Sequence, residues 1–278
     1  MKALLRRTAT LLLAAISTAA LAALAAASPN VPASSIVFTG DRGEGNNLSL
    51  INSNGTGRRL LTTGSAFDLA PAWSPKHRLV AFASTRQSGT VTGQDIFVVG
   101  ADGTGLRALV ETSRDESAPS WSPDGRSIVF SRDSTGTGRY DLYVVSVATG
   151  KVRQLTTNRA IEGVPAWSPN GRWIAYSRDG EIWLIRPDGT RAHGLGKVGA
   201  GVDWAPDWSP DGSRIAFEST SRTSASRPVA QIWVMRSDGS RKQRLTPYVR
   251  RRPVDSVSPS WSPGGAQIVF TRASQLWA

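Results

Sequence analysis

Five carboxylates in this 278-residue chain recur against a fixed landmark. Asp68, Glu116, Glu162 and Asp203 each stand three residues before the proline of a phrase Pro-x-Trp-Ser-Pro, and Asp255 stands one residue further back. An arginine follows each acid at a wider spacing: Arg86, Arg132, Arg178, Arg222 and Arg272. Acids gathered into a ring offer three kinds of chemistry. They can hold a hard cation through oxygen ligands. Two of them at a suitable separation can cleave a glycosidic bond. They can also receive basic side chains from a partner. Other chemistries lack material. There is no cysteine, which excludes a thiol nucleophile, thiolate zinc sites, a disulfide framework and a lipid-modified cysteine. The two histidines, His77 and His193, are too few for a His-based metal site or a Ser-His-Asp triad. Gly-x-Gly occurs at Gly55, Gly103 and Gly136, but nowhere opens a helix after a strand, so no phosphate loop is expected.

The landmark is an internal repeat. Pro-x-Trp-Ser-Pro occurs around Trp73, Trp121, Trp167, Trp208 and Trp261, at spacings of 48, 46, 41 and 53 residues. A turn follows it: Asp124-Gly125, Asn170-Gly171, Asp211-Gly212 and Gly264-Gly265. These residues tolerate the positive φ that tight hairpins need. The first unit has Lys76-His77 there, and a looser turn is expected. An apolar run comes next, as in Ile128–Phe130 and Ile215–Phe217, then a polar loop. A third run follows, as in Asp95–Val99, Asp141–Val145, Glu181–Ile185 and Gln231–Met235. A second Gly turn and a fourth run, such as Arg244–Thr246, complete the unit. The runs are β-branched and aromatic, without helical period. Each unit therefore reads as four short strands. Units of about 40–50 residues with four strands are propeller blades, which must stack on neighbours to bury their faces. Four blades are complete. Ile36–Leu61 supplies an earlier blade without the Trp strand, and Trp261–Trp277 a last one of three strands. The expected fold is all-β, a six-bladed β-propeller of four-stranded antiparallel blades, divided roughly at 28–64, 65–112, 113–158, 159–198, 199–247 and 248–278. Ser28–Ser35 is expected to close the ring, at the inner position of the first blade or the outer edge of the last.

These phrases, Pro-x-Trp-Ser-Pro-Asp-Gly, then Ile-x-Phe, then Asp-Ile-Trp-Val-Met and Arg-Leu-Thr, resemble the WD40-like (PD40) repeats of the TolB family of periplasmic β-propellers. The resemblance runs from Ile36 to Trp277. TolB proteins carry an α/β domain before the propeller and dock to a peptidoglycan-associated lipoprotein. Only about eight residues precede the first strand here after the expected leader, so the resemblance implies the propeller part alone. It implies a scaffold that binds partners at the channel face.

The N-terminus reads as an address. Lys2, Arg6 and Arg7 precede an apolar run from Leu11 to Ala27, which ends in small residues before Ser28-Pro29. This is the pattern of a secretory signal peptide, residues 1–27, cut after Ala27; an uncleaved anchor is the alternative. The expected localisation is periplasmic or secreted. Formal charge is +12, with 40% hydrophobic and 19% charged residues, a globular composition. Arg250, Arg251 and Arg252 form the dense basic cluster, which would suit an anionic envelope polymer; an exported protein rarely meets nucleic acid.

The tryptophans of the phrase, with Trp183, Trp233 and Trp277 on third runs, are expected to pack between blades. Trp173 and Trp204 fall outside the repeat and are the better candidates to face a ligand, although core packing is the stronger reading for Trp173. If Ser122 faces Arg126 across its turn, Glu116 falls opposite Arg132, Glu162 opposite Arg178, and Ser256, beside Asp255, opposite Arg272. Asp68 and Asp203 have their arginines beyond register, so looser pairing is expected there. The reading is a monomeric, non-catalytic scaffold that binds an envelope protein at the channel mouth through these acids and arginines, with no cofactor or metal. The alternative is a hydrolase or lyase acting on envelope or extracellular polysaccharide. An enzyme would show an asymmetric pocket with one carboxylate of raised pKa; a scaffold would show a pseudo-symmetric ring of paired charges.

Overall fold

The computed structural model describes residues 35–41, 45–76, 78–86, 93–221, 229–247 and 254–278, and the short strand 23–24, with residues 23, 24, 41 and 221 described by backbone alone. Residues 1–22 and 25–34, His77, Arg222 and Arg250–Arg252 lie outside the described residues. Six antiparallel sheets follow one another along the chain. The first blade is β1 (Ala23–Leu24), β2 (Ser35–Asp41), β3 (Asn46–Asn52) and β4 (Arg59–Leu60). The second is β5 (Asp68–Trp73), β6 (Leu79–Ser84), β7 (Asp95–Gly100) and β8 (Arg107–Val110). The third is β9 (Glu116–Trp121), β10 (Ser127–Asp133), β11 (Tyr140–Ser146) and β12 (Val152–Gln154). The fourth is β13 (Glu162–Trp167), β14 (Ile174–Arg178), β15 (Glu181–Ile185) and β16 (His193–Gly194). The fifth is β17 (Val202–Trp208), β18 (Arg214–Ser221), β19 (Val229–Arg236) and β20 (Gln243–Arg244). The sixth has three strands, β21 (Ser256–Trp261), β22 (Ile268–Arg272) and β23 (Gln275–Trp277).

The fold is an all-β, six-bladed propeller. Inner strands β5, β9, β13, β17 and β21 lie side by side, and β1 touches both β5 and β21, which closes the circle. The inner position of the first blade is held by Ala23–Leu24, paired with Val37 and Ile36. Sequence reasoning had reserved a closing position for Ser28–Ser35; of these only Ser35 is described, as the first residue of β2.

The core is divided among the seams between blades. One cluster joins Ala81, Ile96 and Val98 of the second blade to Trp121, Ile128 and Phe130 of the third. Equivalent clusters join blades four and five, one and two, and three and four. The seam between blades six and one is thin, built on Ile36 and Val269. The repeat tryptophans serve these seams. Trp121 Nε1 donates to Ala72 O at 3.0 Å, and Trp208 Nε1 to Ala166 O at 3.1 Å, each reaching the preceding blade. The hairpin after each tryptophan closes as its residues dictate. Gly125 N donates to Ser122 O, and Asp124 Oδ1 accepts from Arg126 N, with Gly125 at φ 70°.

Each inner strand of blades two to six is also bulged. The residue before the repeat proline, Ala70, Ala118, Val164, Ala205 or Ser258, has φ between 46° and 55°. Pairing slips at these points by one residue. A β-bulge of this kind re-aims backbone groups. Here the turned N–H meets the previous blade: Val164 N donates to Ser131 Oγ, and Ser258 N to Glu218 Oε2, both at 3.2 Å.

If the indoles rivet the seams, Trp121→Phe and Trp208→Phe should each cost about 2 kcal/mol, through lost volume and an orphaned carbonyl. The half-exposed Trp277 should tolerate Phe within about 0.5 kcal/mol. Urea unfolding of the three variants decides this; equal losses at all three would contradict it.

Candidate functional site

The starts of the inner strands, the ends of the second strands and the starts of the third strands all meet at one end of the propeller. The acids and arginines gather there. Asp68, Glu116, Glu162 and Asp203 are fully buried at the inner edge, so they lie beneath the channel mouth and not on it. Glu116 pairs opposite Arg132, with Arg132 Nε donating to Oε1 at 2.6 Å. Glu162 pairs opposite Arg178 at 4.0 Å. Asp68 departs from the expectation of looser pairing. It faces Ser84 in register, yet Arg86 curls back to grip both oxygens, at 3.1 and 2.6 Å. Asp203 accepts from Val198 N at 2.9 Å, and its expected arginine, Arg222, lies outside the described residues. Asp255 Oδ1 accepts from Ala230 N of the fifth blade. Arg272 faces Ser256 and lies over Trp277 at 6.0 Å.

The acids also fasten the connection that delivers their strand. Thr112 Oγ1 donates to Glu116 Oε1 at 2.6 Å. Thr156 Oγ1 donates to Glu162 Oε2, and Asn158 Nδ2 donates to its Oε1 at 2.6 Å. Thr156 is the last residue of its Arg-Gln-Leu-Thr run, so the repeated threonine is part of the device. Burial dominates the acids' ionisation. Loss of water pushes Glu116 up to about 7, against the pull of Thr112 and Arg132. Glu162 and Asp203 are raised for the same first reason. Asp211, in an exposed turn, is lowered to about 2 by Ser209 and the amide of Ser213. Among the described residues, no three acids or histidines are placed to share a metal ion.

The guanidinium groups remain partly exposed. Arg132 lies over Tyr143 at 4.5 Å, and Arg178 over Trp183 at 4.3 Å, so each is clamped between a carboxylate and an aromatic ring.

Beside this ring the channel holds a cavity of about 90 Å3, lined by Tyr140, Glu162, Gly163, Trp204 and Glu218 among others. The bulge residues Ala70, Ala118, Val164, Ala205 and Ser258 line it. At the position before each bulge the cross-strand pairs are Leu69 with Ala83, Ser117 with Ser131, Gly163 with Ser177, and Val257 with Thr271, and of these Leu69, Ala83, Ser117, Ser131 and Gly163 reach the cavity. In the fifth blade alone of these, the pair is Trp204 with Glu218. Gly163 makes room for the indole: a Cβ there would lie 3.1 Å from Trp204 Cη2. Sequence reasoning singled out Trp204 but missed Glu218. The signal was present, since the residue after the second-strand aromatic is Ala83, Ser131, Ser177 and Thr271 elsewhere. Glu218 is 8% exposed, and burial pushes its carboxyl up to about 7, with Asp255 adding to the shift. Trp173 packs against the seam of blades four and five, the core role expected of it.

Fold and site together define a six-bladed β-propeller with a cavity at its centre. Residues 103–182 match the family model of the TolB beta propeller domain. A protein assigned as a TolB in Agrobacterium tumefaciens superposes with a TM-score of 0.74 at 21% identity, over 91% of this chain and 90% of that one. TolB from Acinetobacter baumannii gives 0.70 at 20% identity, over 87% of this chain but 58% of its own. An oligogalacturonate lyase of Vibrio parahaemolyticus gives 0.58 at 14% identity, over 86% and 83%. At these identities the likeness establishes the propeller fold. No curated protein matches the sequence.

A carboxyl raised by folding keeps its proton in the native chain where the unfolded chain has released it. Its contribution therefore favours folding below about pH 4 and weakens as pH climbs towards the native value. Glu218→Gln removes that decline and keeps an acceptor for Ser258 N. It should raise Tm by a few degrees at pH 8 and change it little at pH 4.5. Thermal melts at both pH values test this; a lower Tm at pH 8 would show that the charge is compensated.

Proposed function

We propose that this chain is an exported, monomeric, non-catalytic scaffold that binds a protein of the cell envelope at the acid-bearing end of its channel. One observation carries the reading. Arg86, Arg132 and Arg178 are partly exposed at that end, each fixed by a buried carboxylate, and Arg132 and Arg178 also by a ring. A guanidinium already held in place loses little freedom when it binds, so a rim of such groups is a preorganised docking face. The buried acids Asp68, Glu116, Glu162 and Asp203 act in this reading as the mounts of the face and not as its contacts. Arg272 and Asp255 complete the rim in the sixth blade. An anionic polymer contact through Arg250, Arg251 and Arg252 is proposed on charge alone.

The rival reading, a hydrolase or lyase of an envelope or extracellular polysaccharide, draws on Glu218, which lines the asymmetric cavity together with Glu162.

Photo-crosslinking residues at Arg114 or Arg159, exposed at the acid-bearing end, should yield adducts with an envelope protein. The same residues at Asn170 or Asp211, on the tight turns of the opposite end, should not. Adducts of equal yield at both ends, or release of saccharide products by the purified chain, would overturn the reading. Export is tested separately. N-terminal sequencing should return a start at or near Ser28. Met1 on membrane-bound material would favour an anchor, and would also retain Ala23–Leu24 as the inner strand of the first blade.

A further inference from the structure

Glu218 has a structural task, since its Oε2 accepts the N–H that the bulge of the sixth blade turns towards it. That task does not need a charge. In the third blade, Ser131 occupies the equivalent position and accepts Val164 N at the same 3.2 Å. The carboxylate is therefore surplus to the architecture. Buried carboxylates ordinarily sit beside a cation. Arg86, Arg132, Arg139 and Arg178 pair with other acids, and among the described residues no Lys, Arg or His makes an ion pair with Glu218. The nearby Asp255 makes the site more negative still.

The surroundings specify what is missing. Trp204 lies directly across the strand pair from Glu218, and both line the channel cavity with Tyr140 of the third blade. An indole and a phenol beside a carboxylate that makes no ion pair among the described residues are the elements that recognise organic cations, through the ring face and the ion pair together. The cavity, about 90 Å3, admits a guanidinium or an alkylammonium head. We propose that Trp204 and Glu218 form a channel site for a single guanidinium or primary ammonium group. The group is the terminus of a partner's Arg or Lys side chain, or of a free small amine. The site does not depend on the docking role of the rim, because it is built from one blade and the channel wall.

The test is isothermal titration of the full chain at pH 8 with four probes: ethylguanidinium, butylammonium, an N-acetyl-arginine amide and its neutral citrulline counterpart. The first three should bind saturably at one site, and the citrulline compound should not. Glu218→Gln should weaken binding by about thirty-fold or more, the usual effect of removing one member of a buried charge pair. Its Tm at pH 8 reports independently that the fold is intact. Trp204→Phe should weaken binding by several-fold and remove the accompanying change in tryptophan emission. Tighter binding of the arginine amide than of ethylguanidinium identifies a peptide side chain as the source; equal binding identifies the free cation. Absence of saturable binding, equal binding of the citrulline compound, or undiminished binding to Glu218→Gln would overturn the proposal. So would calcium chloride displacing the organic probes at a stoichiometry of one, which would make the site a metal site.

Discussion

A four-stranded blade of about 45 residues has two apolar faces and no means of covering either by itself. Everything else in this protein follows from that constraint. The apolar residues fall into clusters that each belong to two blades, so no blade has a core of its own. The repeat tryptophans are spent on those seams, and two of them hydrogen-bond to the blade before. The channel is what remains at the centre when the stacked blades close. Its width is set by the packing of the seams, and its chemistry by whatever the innermost strands present.

Polar anchoring follows the same rule. Glu116 and Glu162 each tie three segments together: their own strand, the end of the next strand through an arginine, and the connection from the previous blade through a threonine. Burying such a group costs solvation, and the raised ionisation of Glu116, Glu162 and Asp203 records that cost. Arginine neutralises the charge but does not remove the penalty. What the arrangement secures is position: the guanidiniums of Arg132 and Arg178 have one place to go.

The blade count, the strand order and the role of the tryptophans were legible because the repeat reads the same sequence problem five times. The opposition of Glu116 to Arg132 was reached by a less secure route. Ser122 bonds to Ser127 across the turn, not to Arg126, so the assumed register begins one residue out. The bulge at Ala118 slips the pairing by one residue in the other direction, and the two offsets cancel. No residue pattern announces that bulge, because alanine before proline gives no sign of a left-handed backbone and ordinarily favours an extended one. Arg86 illustrates a second limit. Register excluded it from Asp68, but a long side chain can reach back past its own strand end. Glu218 was overlooked for a third reason: repeats draw attention to what recurs, and its significance is that it does not.

Identical blades would give a channel whose seats are all alike, and a ligand could occupy any of them at equal energy. At the cross-strand pair before each bulge this channel is close to that condition in four of the blades, where both residues are small or aliphatic. Two residues in the fifth blade end the equivalence. A bound group is thereby given a direction as well as a place, and the ring acquires a reference point from which its other blades can be told apart. Whatever enters along the axis meets the rim in one rotational setting. A structure made by copying thus comes to read orientation, through the loss of symmetry at a single pair of positions.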